Sequence, residues 1–125
     1  MTTQEVANRL VEICRTGNYQ QAHKELYAQD ALSIEPEGVP NRTAQGLEAL
    51  AQKGQKFQEM IETMHKSEVS DPIVAENFFS CSMKMNMTMK GMPGPVDMDE
   101  LCMFTVKDGK IVKEEFFYTP QPPQA

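Results

Sequence analysis

From Phe78 to Lys90 the chain reads Phe-Phe-Ser-Cys-Ser-Met-Lys-Met-Asn-Met-Thr-Met-Lys. Phe79, Cys81, Met83, Met85, Met87 and Met89 alternate with Ser80, Ser82, Lys84, Asn86, Thr88 and Lys90. Side chains on a strand point to opposite faces in turn, so a period of two over this length predicts a long antiparallel strand with one apolar and one polar face. The rest of the chain must bury the methionine face and pair the strand's edges.

The flanking segments supply partners. Glu76-Asn77 is a two-residue turn joining this strand to one before it, His65 to Ala75, which Asp71-Pro72 interrupts. Gly91 to Pro95 forms a wider loop, and Met98 to Lys107 is the next strand. Asp108-Gly109 is the strongest hairpin signal in the chain, demanding positive φ at both positions, and it leads into a last strand from Ile111 to Thr119.

Upstream the period changes to that of helices. Thr2 and Glu5 form a capping box ahead of the stripe Val6, Leu10, Ile13 and Cys14, and Gly17 ends that helix. Asn18 and Gln21 open a second helix with Tyr19, Ala22, Leu26 and Tyr27 inward. Ala31 to Glu35 is a short strand stopped by Pro36, which has no N–H for a ladder. After a loop to Thr43, the stripe Leu47, Leu50, Ala51, Gly54, Phe57, Ile61 and Met64 marks the longest helix. Gly54 inside it costs about 1 kcal/mol relative to alanine, which close approach of another element would offset. The predicted order is α-α-β-α-β-β-β-β in one domain over residues 1–119, followed by a flexible tail over residues 120–125.

A two-residue turn at Asp108-Gly109 sets a register. It places Cys102 opposite Glu115, Phe104 opposite Lys113 and Glu100 opposite Phe117 on one face, and Leu101 with Phe116 and Met103 with Glu114 on the other. Both faces carry large apolar side chains. One layer of helices covers one of them, so the outer face is expected to meet a second copy in a homodimer.

Composition excludes several classes of function. A net charge of -6 without clustered Lys or Arg argues against nucleic-acid binding. No apolar run approaches the roughly 20 residues that span a bilayer, so no membrane partner is expected. The polar, acidic N-terminus lacks the pattern of a signal peptide, which makes the cytoplasm the expected location. Cys14, Cys81 and Cys102 show no Cys-x-x-Cys spacing and read as buried thiols. Strand residues two apart lie about 6.7 Å apart, too far for the methionines to converge on a metal, so no metal site is expected.

The helix hairpin, the strand closing in Ile34-Glu35-Pro36, the glycine-led helix Gly46-Leu47-Glu48-Ala49-Leu50, the four-strand meander and the ending Val106-Lys107-Asp108-Gly109-Lys110-Ile111-Val112 together resemble the nuclear transport factor 2-like superfamily. Within it the chain is most similar to small bacterial SnoaL-like proteins, over about Glu5 to Tyr118. The resemblance implies an α+β cone, with a curved, mostly antiparallel sheet wrapped around the long helix and an internal cavity. Relatives include isomerases, cyclases and dehydratases that work without a cofactor, and members that only bind or dimerise.

The ketosteroid isomerase pattern fits in part. Its general base precedes a proline at the end of the first strand, which Glu35-Pro36 matches. Its oxyanion tyrosine falls at Leu10, which has no hydroxyl, and its second acid falls at Cys102 or Glu100. Steroid isomerisation is therefore not expected.

Glu35 is the first candidate for acid–base chemistry, because a carboxylate facing an apolar cavity loses hydration and its pKa rises. Glu100 is the second, and His65, at the junction of helix and strand, a weaker third. Met85, Met87, Cys102, Phe104, Glu115 and Phe117 are expected to line the ligand's wall. Methionine's flexible, polarizable side chain suits a small, largely apolar molecule. A non-catalytic association module is the alternative.

Overall fold

The structure is a computed structural model that describes residues 1–120. The expected tail therefore lies almost wholly outside the described residues. Three helices pack on one face of a curved, open sheet of seven strands: α1 (Thr3–Thr16), α2 (Tyr19–Leu26), β1 (Tyr27–Ile34), β2 (Thr43–Gln45), α3 (Leu47–Met60), β3 (Ile61–Val69), β4 (Ile73–Ala75), β5 (Phe78–Met89), β6 (Pro95–Lys107) and β7 (Lys110–Phe117). The spatial order is β2-β1-β7-β6-β5-β3, with β4 paired to β5. All neighbours are antiparallel except β1 and β7, which run parallel and bring the first strand beside the last. This is the α+β cone anticipated above, with one short strand, β2, added and the expected strand interrupted at Asp71-Pro72 divided into β3 and β4.

Local chemistry sets the boundaries. The Thr2 hydroxyl accepts from the Glu5 N–H, the Glu5 carboxylate accepts from the Thr2 N–H, and Gly17 closes α1 at φ 80°. Asp108 and Gly109 both adopt positive φ, 52° and 75°, as the tight turn requires. Several boundaries differ from expectation: β1 ends at Ile34, β6 begins at Pro95 rather than Met98, β7 ends at Phe117, and two helix ends move. Tyr27 opens β1 rather than closing α2, and Ile61 and Met64 belong to β3, because the chain turns extended directly after Met60. An apolar stripe at helical spacing continues smoothly into a strand, so periodicity alone could not find the end of α3. Gly54 is approached by nothing within 4 Å of where a Cβ would stand, so the expected compensation is absent.

The core lies between α1 and the inner face of the sheet. Val6, Ala7, Leu10, Val11, Ile13 and Cys14 cover Phe79, Cys81, Met83, Cys102, Phe104, Val106 and Ile111, all buried. Phe79 and Phe104 are cross-strand partners whose rings stack at 4.6 Å. Burial of each contributes about 1.5–3 kcal/mol. The methionine stripe faces inward as its alternation requires, with Met87 1% exposed.

The register of β6 with β7 departs from expectation at one residue. Val106 faces Ile111, but Thr105 faces Lys113, so Val112 is an extra residue on β7. This β-bulge moves every later β7 side chain to the other face. Glu114 and Phe116 turn inward opposite Phe104 and Cys102, whereas Glu115 and Phe117 turn outward opposite Met103 and Leu101.

Candidate functional site

Polar side chains from four elements converge on the inner face beside the parallel β1–β7 pair. Ser33 and Glu114 are cross-strand partners there and are buried, at 0% and 6% exposure. The Ser33 hydroxyl donates to Glu114 Oε2 at 2.7 Å, and the Tyr27 hydroxyl donates to Glu114 Oε1. A buried carboxylate needs such donors, since leaving it unpaired would cost several kcal/mol. Burial, with the charge of Glu114 adding to it, pushes the Tyr27 phenol well above its ordinary pKa.

Lys53 extends the network. It sits one turn beyond Leu50 on α3, and its ammonium donates to Ser33 Oγ at 2.8 Å and to Glu35 Oε1 at 2.8 Å while lying 4.9 Å from the centre of the Phe116 ring. Glu35 follows the last residue of β1, and its backbone is pinned by paired hydrogen bonds with Arg42 across the β1–β2 loop. The Glu35 side chain is 15% exposed, and its second oxygen, Oε2, is buried without a hydrogen-bond partner.

Glu100 projects inward from β6. Burial pushes its carboxyl up to about 7, with the nearby charges of Glu35 and Glu114 adding to the rise and Lys53 opposing it. The Cys102 thiol donates weakly to Glu100 Oε1 at 3.8 Å. Tyr19 of α2 lies on the same side; burial raises its phenol to about 12, with Cys14 and Glu100 adding to the effect. Tyr118 is raised as well, by burial first and then by the charge of Glu35. Thus an acid raised toward neutral pH and a carboxyl group with one unpartnered oxygen lie near enough to feel each other's charge, with Lys53 paired to the second of them.

The expected residues separate accordingly. Glu35 and Glu100 come together, with Cys102 beside Glu100. Met85 and Met87 are buried on the same sheet face. Phe104 is also inward, but it is locked in the stack with Phe79. Glu115 and Phe117 are corrected to the outer face by the bulge at Val112: Glu115 pairs with Lys113 at 3.6 Å, and Phe117 is 52% exposed. His65 lies exposed within β3, bonded to Thr88 at 2.7 Å, and has no part in the cluster.

Lys53, Ser33 and Glu114 escaped the sequence reading as site residues, and Tyr27 was expected only as an inward residue of α2. Lys53 had one usable signal, its place three residues after Leu50 on the inward side of α3. Nothing in Lys113-Glu114-Glu115 reveals which acid is buried. A surface cleft lies elsewhere, away from this chemistry. That cleft, of about 450 Å³ between α1 and the β3–β4 turn, is lined by Arg15 and Asp71, which are already paired at 2.9 Å.

Known proteins share this arrangement of elements. A protein of Mesorhizobium loti, classed by inference as a SnoaL-like polyketide cyclase, superposes with a TM-score of 0.88 at 36% identity, over 94% of this chain and 100% of its own. A second protein so classed as a polyketide cyclase, from Streptomyces antibioticus, gives 0.70 at 22% identity over 94% and 91%. A Catenulispora acidiphila protein of ketosteroid isomerase-like fold, solved with trimethylamine, gives 0.69 at 19% identity over 86% and 80%. No curated protein matches the sequence. The SnoaL-like domain model matches residues 1–118, and the chain therefore belongs to the SnoaL-like family.

Proposed function

We propose that this protein binds a small, largely apolar molecule on the inner side of its sheet and performs cofactor-free acid–base chemistry on it, of the isomerase, cyclase or dehydratase type. The observation that carries this reading is the pairing of Glu100, a carboxyl raised to about 7, with Glu35, whose Oε2 is free to accept a proton. An acid raised toward neutral pH beside a carboxyl oxygen that lacks a donor can serve in proton transfer. The buried methionines supply an adaptable apolar wall. The Mesorhizobium loti relative supports the cyclase type. Three unpaired, buried thiols fit a reducing compartment such as the cytoplasm.

The test is deuterium uptake by 2-tetralone, an apolar ketone with acidic α-hydrogens, followed by proton NMR in D₂O. Exchange above the buffer rate that falls at least tenfold in both Glu35→Gln and Glu100→Gln supports the reading. Exchange no faster than buffer rejects it for this class of ligand.

The association reading draws on a separate observation. Leu101 and Phe117, cross-strand partners on the outer face, are 46% and 52% exposed, and Ile73 and Phe78 are exposed as well. We propose that two copies pair through this face. Sedimentation should give twice the 14.1 kDa chain mass, reverting to one chain mass in Phe117→Glu. A monomer at micromolar concentration would reject the pairing.

A further inference from the structure

Cys81 of β5 and Cys102 of β6 are direct cross-strand partners, and both turn inward, 2% and 0% exposed. The register of β5 with β6 runs unbroken from Phe78 to Thr88, and just beyond its end the Val106 N–H donates to the Asn77 carbonyl. Bonds in an antiparallel ladder fall on every second pair, so Phe79 with Phe104 and Cys81 with Cys102 are hydrogen-bonded pairs. The other edge of β5 agrees, because the Ser70 N–H donates to the Ser82 carbonyl and leaves the backbone of the odd-numbered residues to β6. Partners of this kind stand about 5.5 Å apart at Cα, inside the window in which a disulfide closes. Their Cβ atoms stand about 5.5 Å apart too, against about 3.8 Å in a relaxed disulfide. A bond here draws the two side chains together, and a strained bond is readily reduced.

The three thiols are not equivalent. A hydrogen bond between Cys81 and Cys102 lowers the first and raises the second. Cys14 on α1 is outside that bond, and burial pushes it up to about 12. We propose that Cys81 and Cys102 are a reversible redox site, closed to a disulfide by exchange with a low-molecular-weight disulfide and reopened by the corresponding thiol. In the step, one cysteine thiolate attacks a sulfur of the small disulfide, breaks its S–S bond and releases one small thiolate. As β5 and β6 pair, the other cysteine thiolate attacks the first cysteine's sulfur, forms the cross-strand bond and expels the second small thiolate. The protein gives up two protons and two electrons, and the small disulfide becomes two thiols. The exchange takes place on the locally opened hairpin, since the closed sheet buries both sulfurs.

The bond also removes the S–H that Cys102 offers to Glu100 Oε1 at 3.8 Å. That contact opposes the rise which burial gives the Glu100 carboxyl, so bridging should raise the pH at which Glu100 titrates. Glu35, Glu114 and Lys53 act on Glu100 in both forms.

The test starts from the full chain unfolded in urea, once reduced and once oxidised. Each is diluted into glutathione buffers of graded ratio and held until the two starting points agree. Alkylation with intact mass counts the bridged fraction, and peptide mapping names its cysteines. The bridge should be closed in oxidised glutathione and at least tenfold less populated in reduced glutathione. Cys14→Ala should bridge as the wild type does, and Cys81→Ala and Cys102→Ala should not. The wild-type mapping carries the test alone should an alanine variant fail to fold. Three alkylatable thiols in oxidised glutathione, glutathione adducts in place of a bridge, a bridge that includes Cys14, or one that persists in reduced glutathione each overturn the site. Carbon NMR of the Glu100 carboxyl compares the two forms, and an unchanged titration overturns the link to Glu100 while the bond itself stands.

Discussion

Glu100→Gln should abolish a large part of the dependence of stability on pH. The Glu100 carboxyl ordinarily titrates near 4.5, and burial raises it to about 7 in the fold, aided by Glu35 and Glu114. A folded pKa above the unfolded one means that the folded state holds its proton while the unfolded state has released it. Stability therefore falls as pH rises from about 4.5 through 7, then levels off. The gap corresponds to on the order of 3 kcal/mol. Screening at this part-exposed group reduces it to about 2 kcal/mol. Glutamine has no proton to lose and keeps a similar shape. The two proteins should differ little at pH 5, and the variant should be the more stable by about 2 kcal/mol at pH 8. His23, which burial holds below its usual pKa, costs stability only as pH falls below about 6.5, and it cancels because both proteins carry it. Urea denaturation at pH 5, 6, 7 and 8, at one protein concentration, measures the difference. A difference that changes by less than about 0.5 kcal/mol across this range would show that Glu100 is solvated or directly paired, and would remove it as the acid.

Glu114→Ala leaves two buried hydroxyls without their acceptor and should cost about 2–4 kcal/mol in urea denaturation, with Glu114→Gln losing less. Glu35→Gln breaks the ion pair with Lys53 at a side chain 15% exposed and should destabilise by about 1–2 kcal/mol at pH 7. A more stable Glu35→Gln would show that the pair does not form. Gly109→Ala adds a Cβ at φ 75°, 3.1 Å from the Met1 carbonyl oxygen, and should lower the denaturation midpoint by the equivalent of about 1 kcal/mol. An unchanged midpoint would mean that the turn is not type I′.

The sequence by itself determined the elements whose signals are local. Alternation from Phe79 to Met89 specified the central strand and its inner face. The Thr2–Glu5 capping box and Gly17 bounded α1, and Asp108-Gly109 specified the last hairpin. Glu35 was legible because a proline directly after it must end the strand.

Tertiary structure decided the site. One extra residue at Val112 exchanged Glu115 for Glu114 and Phe117 for Phe116, and turn chemistry does not encode a bulge three residues away. The partners of Lys53 lie on β1, 20 residues before it, and at Glu35 just beyond that strand's end. Only the parallel closure of β1 on β7 brings Ser33 against Glu114, and only that contact aims Ser33 at Lys53. Local signals act through neighbouring backbone geometry, whereas a buried polar network exists only once desolvation by the whole fold forces each group to find a partner.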